Sequence, residues 1–311
     1  MAVENKKSTK GRKKIAYSKE DLERQPMLVL VCGETGVGKT YRNLIEIHRY
    51  MKDDASNGRK GRKVLAFDVN DDDYPQFKTV KVNLIQNLTA INARRIRPIS
   101  PQGMNMTIEE KRGVVEQMVN RFKNGLLVLE DLDKYMVGAK GQTVVGLLTT
   151  NRHNGLDIMI SHQSVAKITT TEWQNCTWLR LHHQVDDISR YETRIPNYFL
   201  VRIATFIVDE QYDLANGAYA DGSISQDEYK KRKSFYVYVD MRRLRLRGVS
   251  REAFIRAAKK YIDTHEAKKI KMMLQEMNMN DTPKFNNRSQ AVVHLITKYL
   301  RHHEEKPNTA F

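Results

Sequence analysis

The chain has 311 residues, a formal net charge of +16 and two cysteines. Cys32 and Cys176 are too few and too far apart for a disulfide framework or a cysteine metal site, and no apolar run approaches the ~20 residues that cross a bilayer. We therefore expect a cytoplasmic protein with no membrane segment, whose positive charge either attracts a polyanion such as DNA or only keeps the protein soluble.

Residues 1–25 are predicted to form a basic, disordered arm. This segment is polar and rich in lysine, and it has almost no large apolar side chains. Ordering it would bury too little apolar surface to offset the lost chain entropy.

Residues 26–249 are predicted to form one α/β domain. Short apolar runs alternate with helical patterns, which is typical of a mostly parallel sheet covered by helices. The predicted strands are MLVLVC, KVLAFDV, LLVLED, LDIMISH, CTWLRLH and SFYVYVD.

The region between the second and third predicted strands holds a loop and a helix. The segment NARRIRPISPQG contains two prolines and a glycine, so its three arginines are predicted to lie on an exposed basic loop. The helix that follows begins with a capping box of Thr107 and Glu110, and Gly125 is predicted to be the left-handed residue that ends it.

Residues 250–311 are predicted to form a small helical unit. The segments SREAFIRAAKKYIDTHEAKKIKMMLQEM and SQAVVHLITKYLRHH have helical patterns, and the breaker-rich NMNDTPKFNNR separates them. In the second segment, core packing is expected for Val292, Val293, Leu295, Ile296 and Leu300.

A phosphate-binding motif follows the first predicted strand. GETGVGKT matches G-x-x-x-x-G-K-[ST], with a buried strand before it and a helix after it, which is the context that a P-loop requires. The predicted nucleotide-binding residues are Gly33, Glu34, Thr35, Gly36, Val37, Gly38, Lys39 and Thr40.

The residue types of this motif suit ATP and Mg²⁺. Gly33, Gly36 and Gly38 permit a tight turn that points N–H groups at phosphate oxygens, and the next helix adds the positive end of its dipole. Lys39 would reach the β and γ phosphates, and Thr40 would bind Mg²⁺. The sequence has no convincing guanine-reading N/T-K-x-D motif, so ATP is the expected nucleotide.

Two adjacent carboxylates, Glu130 and Asp131, end the third predicted strand. Beside a P-loop, one carboxylate can face the metal while the other orients a water for attack on the γ-phosphate. We assign Glu130 to the Mg²⁺ shell and Asp131 to the water. The usual order of this motif is Asp then Glu, so the two roles can also be exchanged.

Two further residues are candidates for catalysis. Gln163 follows the fourth predicted strand, at the sheet edge where α/β proteins gather ligands, and its amide can donate to phosphate and accept from the attacking water. Arg152 precedes that strand, where it either caps a predicted helix or acts as an arginine finger on the nucleotide of a neighbouring subunit. His162 is predicted to be packed or solvent-facing rather than catalytic.

These motifs resemble the FtsK/HerA-type motor ATPases, a family that includes the genome-packaging ATPases of tailless viruses and the zonula occludens toxin-like phage assembly proteins. The resemblance lies in GETGVGKT, VLAFDVNDDDYPQF, LLVLEDLD and NRHNGLDIMISHQS. It implies a RecA-like core in a ring, expected to be a hexamer, that threads DNA through a basic pore while ATP lies between subunits. The site residues that it implies are Lys39, Thr40, Glu130, Asp131, a sensor Gln163 and a trans-acting Arg152.

Within that family the chain resembles a viral packaging motor or a mobile-element translocase. Such a motor would work in the host cytoplasm or in a virion. Its C-terminal helices would then bind DNA, clamp a neighbouring subunit or dock on a capsid or portal protein.

Two other classes of function share the P-loop. A P-loop kinase for a nucleoside or another small metabolite has the same phosphate cradle, and NARRIRPISPQG would then be its arginine lid. A nucleotide-dependent switch that binds a protein is the second alternative. The distance between the P-loop and the acidic strand end, together with the long helical tail, favours the motor over the kinase.

Overall fold

The computed structural model describes residues 26–54, 59–100, 102–136, 146, 155–306 and 308–310. The predicted arm at residues 1–25 and the candidate Arg152 lie outside the described residues.

The described residues contain one nine-stranded sheet. From β1 to β9 the strands are Leu28–Cys32, Lys63–Phe67, Lys78–Thr79, Ala93–Ile96, Gly125–Leu129, Leu156–His162, Trp178–Leu181, Val237–Asp240 and Arg245–Arg247. Their order across the sheet is β3-β4-β2-β5-β6-β1-β7-β8-β9. The first seven strands in this order, which end with β7, pair in parallel. At the edge of the sheet, β8 pairs antiparallel with β7, and β9 pairs antiparallel with β8. The predicted α/β fold with a mostly parallel sheet is confirmed, and β1, β2, β5, β6, β7 and β8 are the six predicted strands.

Helices cover both faces of this sheet. From α1 to α8 they are Lys39–Met51, Ile108–Arg121, Thr170–Asn175, Tyr198–Ala220, Gln226–Lys233, Arg251–His265, Ala267–Leu274 and Arg288–Leu300. Short 3₁₀ helices occupy Val82–Asn87, Leu132–Lys134, Val165–Lys167 and Ile188–Arg194. Within the described residues, no helix combines the length and the apolarity that spanning a membrane requires.

Alternate side chains of the central strands enter two cores, one on each face of the sheet. In β1, Leu28 and Leu30 belong to the core that includes residues of α2, α4, α6 and α8, whereas Val29 and Val31 belong to the core that includes residues of α1. All residues of β1 and β5 are buried. A strand buried on both faces is a continuous apolar run, which is why MLVLVC and LLVLED are recognisable in the sequence.

The strand order brings the ends of three strands together. Because β6 lies between β1 and β5 and all three run in parallel, their carboxyl ends are adjacent. The P-loop follows β1, Glu130 follows β5, and Gln163 follows β6. Such ends are where open α/β sheets bind ligands.

The helix α2 begins as predicted but ends differently. The N–H of Glu110 donates to the Thr107 hydroxyl, and the N–H of Thr107 donates to the Glu110 carboxylate at 2.7 Å, which completes the capping box. The left-handed prediction for Gly125 is wrong, because Asn124 takes that conformation with a φ of 52° and Gly125 is already the first residue of β5. Asparagine tolerates the left-handed region better than most residues.

The predicted exposed loop at NARRIRPISPQG is wrong for residues 93–96, which form β4 between β3 and β2. Arg95 is partly buried and lies 2.5 Å from Asp68, and Arg97 lies 2.5 Å from Asp71. Both carboxylates come from the chain just after β2. The local pattern missed the strand because the groups that neutralise its arginines are distant in the sequence.

The C-terminal helices extend one of the two cores. Phe254 of α6, together with Leu295 and Tyr299 of α8, belongs to the same buried cluster as the side chains of β1 and α4. Val292, Ile296 and Leu300 are partly buried against that cluster, as expected. Val293 is 61% exposed, so the core prediction is wrong for this residue.

Candidate functional site

The first two residues of the P-loop are anchored by hydrogen bonds to neighbouring elements. The N–H of Gly33 donates to the His162 carbonyl at 3.3 Å, and the N–H of Glu34 donates to the His183 carbonyl at 3.0 Å. The Tyr212 hydroxyl of α4 donates to the Glu34 carboxylate at 3.0 Å. The loop is therefore fixed to the last residue of β6, to the chain that follows β7, and to the long helix α4.

The backbone of this loop has the shape that a phosphate cradle needs. Gly36 and Gly38 have φ angles of 80° and 87°, in the left-handed region that glycine enters without strain. The Lys39 ammonium donates to the carbonyls of Gly33 and Glu34 at 2.6 and 2.8 Å, so the side chain folds back across the loop. Burial lowers the pKa of Lys39, and the nearby charges of Asp131 and Glu130 act in the opposite direction.

A cavity of about 570 Å³ opens in front of the P-loop. One wall is the P-loop and the start of α1, and the other wall is formed by the chain that follows β2 and β5. The lining residues are Thr35, Gly36, Gly38, Lys39, Thr40, Asn70, Asp72, Asp73, Glu130, Asp131 and Lys134. The volume lies within the range of small-molecule sites, about 300–1,000 Å³.

Glu130 is buried at the end of β5 and held by two donors. The Asn43 side-chain amide of α1 and the Tyr74 hydroxyl both donate to its Oε1. Asn43 also donates to the Ser161 hydroxyl at 3.3 Å, and its own oxygen accepts from Arg180 of β7. This buried network connects α1 with the ends of three strands, so the position of Glu130 is coupled to that of α1.

Asp131 differs from Glu130 in its surroundings. Its backbone is left-handed, with a φ of 45°, and its carboxylate lies 2.6 Å from the Lys134 ammonium one turn later. Both acidic residues line the cavity, but Asp131 is partly buried in an ion pair with the half-exposed Lys134, whereas Glu130 belongs to the buried network. Aspartate tolerates this backbone conformation, and such positions are frequent at functional sites.

A second acidic segment, after β2, reaches the same cavity. The Thr40 hydroxyl donates to the Asp73 carboxylate at 3.4 Å, and Asp72 also lines the cavity. Burial raises the pKa of Asp73 to about 6, and the charge of Glu130 acts in the same direction. Sequence reasoning did not select these two residues, although the run NDDD directly after an apolar strand was a usable signal.

The residues of the cavity suit a nucleoside triphosphate with Mg²⁺. The glycine cradle and Lys39 are arranged for phosphate, and the Thr40 hydroxyl faces carboxylate oxygens. Within the described residues, no three acidic, His or Cys side chains are close enough to hold a metal ion alone. Mg²⁺ usually takes one or two protein ligands and completes its shell with phosphates and water, so a site of this kind needs no such cluster.

The remaining candidates lie outside the cavity or outside the described chain. Gln163 is exposed at the end of β6 and is not among the described residues that line the cavity. His162 is buried, with Nδ1 3.1 Å from Asp133 and Nε2 3.3 Å from Glu172. The structure thus brings the P-loop, Glu130 and Asp131 together in one cavity. Gln163 follows the neighbouring strand β6 but is not among the described lining residues, and Arg152 lies outside the described residues.

Comparisons with known proteins give similar structures but no similar sequence: no protein-family model and no curated protein matches the chain. One similar structure is the genome-packaging NTPase B204 of Sulfolobus turreted icosahedral virus 2 in complex with AMPPCP, with a TM-score of 0.42, 14% identity, and coverage of 71% of this chain and 95% of that chain. Another is B204, the DNA-packaging ATPase of Sulfolobus turreted icosahedral virus. Its TM-score is 0.37 at 13% identity, with coverage of 72% of this chain and 97% of that chain.

A third similar structure is the N-terminal domain of zonular occludens toxin from Neisseria meningitidis. Its TM-score is 0.28 at 14% identity, with coverage of 50% of this chain and 76% of that chain. Packaging ATPases and zonula occludens toxin-like proteins are the two groups that the sequence motifs resemble, and both occur among the similar structures.

Proposed function

We propose that this chain binds ATP at its P-loop, hydrolyses it and couples hydrolysis to the movement of DNA, as a viral or mobile-element packaging motor. The observation that carries the proposal is the single cavity that Lys39 and Thr40 share with Glu130 and Asp131. A cation and backbone donors on one wall bind phosphates, and carboxylates on the other wall can orient a water. These are the parts that phosphoanhydride hydrolysis requires.

Five residues of the cavity have proposed roles. Lys39 moves from its carbonyl partners to the β and γ phosphates when ATP binds. Thr40 and Glu130 hold Mg²⁺, which supplies positive charge to the phosphates. Asp131, the more accessible of the two adjacent carboxylates, orients the attacking water, and Asp73 holds the Thr40 hydroxyl in place.

The DNA part of the proposal depends on charge and on the sequence resemblance. A net charge of +16 attracts a polyanion, and neutralised phosphates release counterions, so binding weakens with salt. A hexameric ring with Arg152 acting on the neighbouring subunit's nucleotide belongs to the same proposal. Mixing Arg152→Ala subunits with Asp131→Asn subunits tests the shared site, because activity restored in mixed rings requires a residue acting in trans; the absence of any restoration would count against it.

The experiment that tests the motor is steady-state ATP hydrolysis with and without single- and double-stranded DNA, at two salt concentrations. We expect stimulation by one form of DNA and a loss of that stimulation at higher salt. A rate of ATP hydrolysis that is the same with and without DNA at both salt concentrations would refute the coupling of hydrolysis to DNA movement.

The alternatives predict different results in the same assay. A metabolite kinase would transfer phosphate to a small acceptor without any DNA effect, and a protein-binding switch would bind nucleotide with almost no turnover. Arg95 and Arg97, which a kinase lid would use, are paired with Asp68 and Asp71. This pairing favours the motor over the kinase.

A further inference from the structure

A second cavity, of about 390 Å³, adjoins the P-loop next to α5. Its lining residues are Gly36, Gly38, Tyr41, Asp227, Lys230, Lys231, Lys233 and Ser234. Gly36 and Gly38 also line the larger cavity that contains the acidic residues. The two cavities therefore border the same part of the P-loop.

The wall that α5 contributes is held firmly against α1. Arg42, two residues after Thr40, donates to the Ser234 carbonyl at 3.1 Å, to the Ser234 hydroxyl at 3.0 Å and to the Lys231 carbonyl at 3.2 Å. A Cβ placed on Gly38 would lie only 2.7 Å from the Ser234 Cβ, so the end of α5 is in close contact with the P-loop itself. The cavity is thus a formed site rather than a gap between loosely packed parts.

The chemistry of this wall differs from that of the acidic cavity. Tyr41 is 53% exposed, and the Arg42 guanidinium carbon lies 5.3 Å from its ring centroid. An exposed ring held by a neighbouring cation is a platform on which a flat base can stack. Asp227 is the acidic residue of the lining, and its carboxylate can accept hydrogen bonds from ribose hydroxyls.

We propose that this cavity binds the base and ribose of a nucleoside triphosphate, with Tyr41 as the stacking residue, while the phosphates lie on the P-loop. The proposal rests on the proposed function, since it needs a triphosphate in the cradle. The orientation of the nucleotide follows from the fold. β5 and its carboxylates lie on one side of β1, whereas β7 and β8 lie on the other, and α5 directly precedes β8. The γ-phosphate then faces Glu130 and Asp131, and the nucleoside faces Tyr41.

The test compares two ligands with three phosphorus groups each, of which only one carries a nucleoside. Calorimetric titrations with Mg²⁺ measure the affinity of adenylyl imidodiphosphate, a non-hydrolysable ATP analogue, and of inorganic tripolyphosphate. Tyr41→Ala should weaken the nucleotide about tenfold, which corresponds to the loss of one stacking contact, and should leave tripolyphosphate unchanged. Tyr41→Phe keeps the ring and should bind both ligands as the unaltered protein does.

Three outcomes would overturn the inference, and they are distinguishable. If Tyr41→Ala binds the nucleotide as tightly as the unaltered protein, Tyr41 does not stack on the base, but phosphate binding by the P-loop is not contradicted. An equal loss for both ligands shows that Tyr41 acts on the cradle and not on the base. If neither ligand binds the unaltered protein, the proposed function fails as well. Where binding is measured, Lys39→Ala should weaken both ligands, which shows that both occupy the P-loop.

Discussion

Asn43 connects α1, the helix that follows the P-loop, to the acidic end of β5. Its side chain is buried, donates to Glu130 and Ser161, and accepts from Arg180. Because all polar atoms of this amide are used, a shift of α1 on nucleotide binding would be transmitted to Glu130. The two walls of the larger cavity are therefore mechanically linked.

Asp131 is the residue whose loss should separate binding from hydrolysis. We expect Asp131→Asn to lower the turnover of ATP at least about a hundredfold, because an amide is a poor acceptor for the proton of an attacking water. Nucleotide affinity should change little, because Asp131 is paired with Lys134 and does not support the cradle. Phosphate-release kinetics and a binding titration measure the two effects. If Asp131→Asn hydrolyses ATP at nearly the rate of the unaltered protein, Asp131 does not orient the attacking water, and Glu130 or Asp73 becomes the candidate for that role.

His162 should make stability depend on pH. Burial alone would lower its pKa, but the hydrogen bonds and charges of Asp133, from the turn after β5, and Glu172, from α3, raise it above 6.5. A raised folded pKa gives stability that is complete below pH 6.5 and is lost as the pH rises through the folded pKa.

Denaturant unfolding of the protein and of His162→Gln across this range measures that effect. The difference in unfolding free energy between the two proteins should shrink as the pH rises. A difference that stays constant, or that grows with pH, would contradict a charged imidazole between the two carboxylates.

At the residue scale, the sequence was informative where the chemistry is local. The P-loop and the pair Glu130 and Asp131 are recognisable because a strand, a loop and a short motif specify them. Asn43 and Arg180 were not predicted, since each acquires its role only from partners in other elements. Asp73 was missed for the same reason: it lies 33 positions from Thr40, its partner.

At the scale of elements, the junction between the P-loop and α5 is a close contact beside the site. Gly36 and Gly38 both have positive φ, but they differ in space: a Cβ on Gly36 meets no atom within 4 Å, whereas a Cβ on Gly38 would clash with Ser234. The two positions therefore form a matched pair that separates backbone strain from packing.

We expect Gly36→Ala to cost about 1 kcal/mol of unfolding free energy through its left-handed backbone. Gly38→Ala should cost a further 1–3 kcal/mol, roughly, because the end of α5 must move. Denaturant unfolding measures both. Equal losses in the two variants would show that α5 is not packed on the P-loop as described.

Among the elements, buried strands were predictable and polar ones were not. β1 and β5 are continuous apolar runs, whereas β4 reads ARRI and depends on Asp68 to neutralise Arg95. β3 has two residues and β9 has three, too few for a pattern of alternation. The missed strands are those whose stability comes from distant partners rather than from their own composition.

At the scale of the whole molecule, the C-terminal helices are part of the main core. The sequence placed a unit boundary near residue 249 because the pattern becomes helical there. In the structure Leu246 pairs with His303, Arg247 lies 2.6 Å from Glu304, and α6 packs on α4 within one cluster. We propose that residues 250–311 fold together with the sheet rather than as an independent unit.

We propose that the cavity between the P-loop and the acidic strand ends hydrolyses ATP. The most direct measurement is steady-state phosphate release from Mg–ATP by the unaltered protein and by Lys39→Ala, with thermal unfolding of both as the control for folding. We predict turnover by the unaltered protein and a rate at the level of the blank for Lys39→Ala, with both proteins folded. No turnover by the unaltered protein, or equal turnover by the two, would show that this cavity does not hydrolyse ATP.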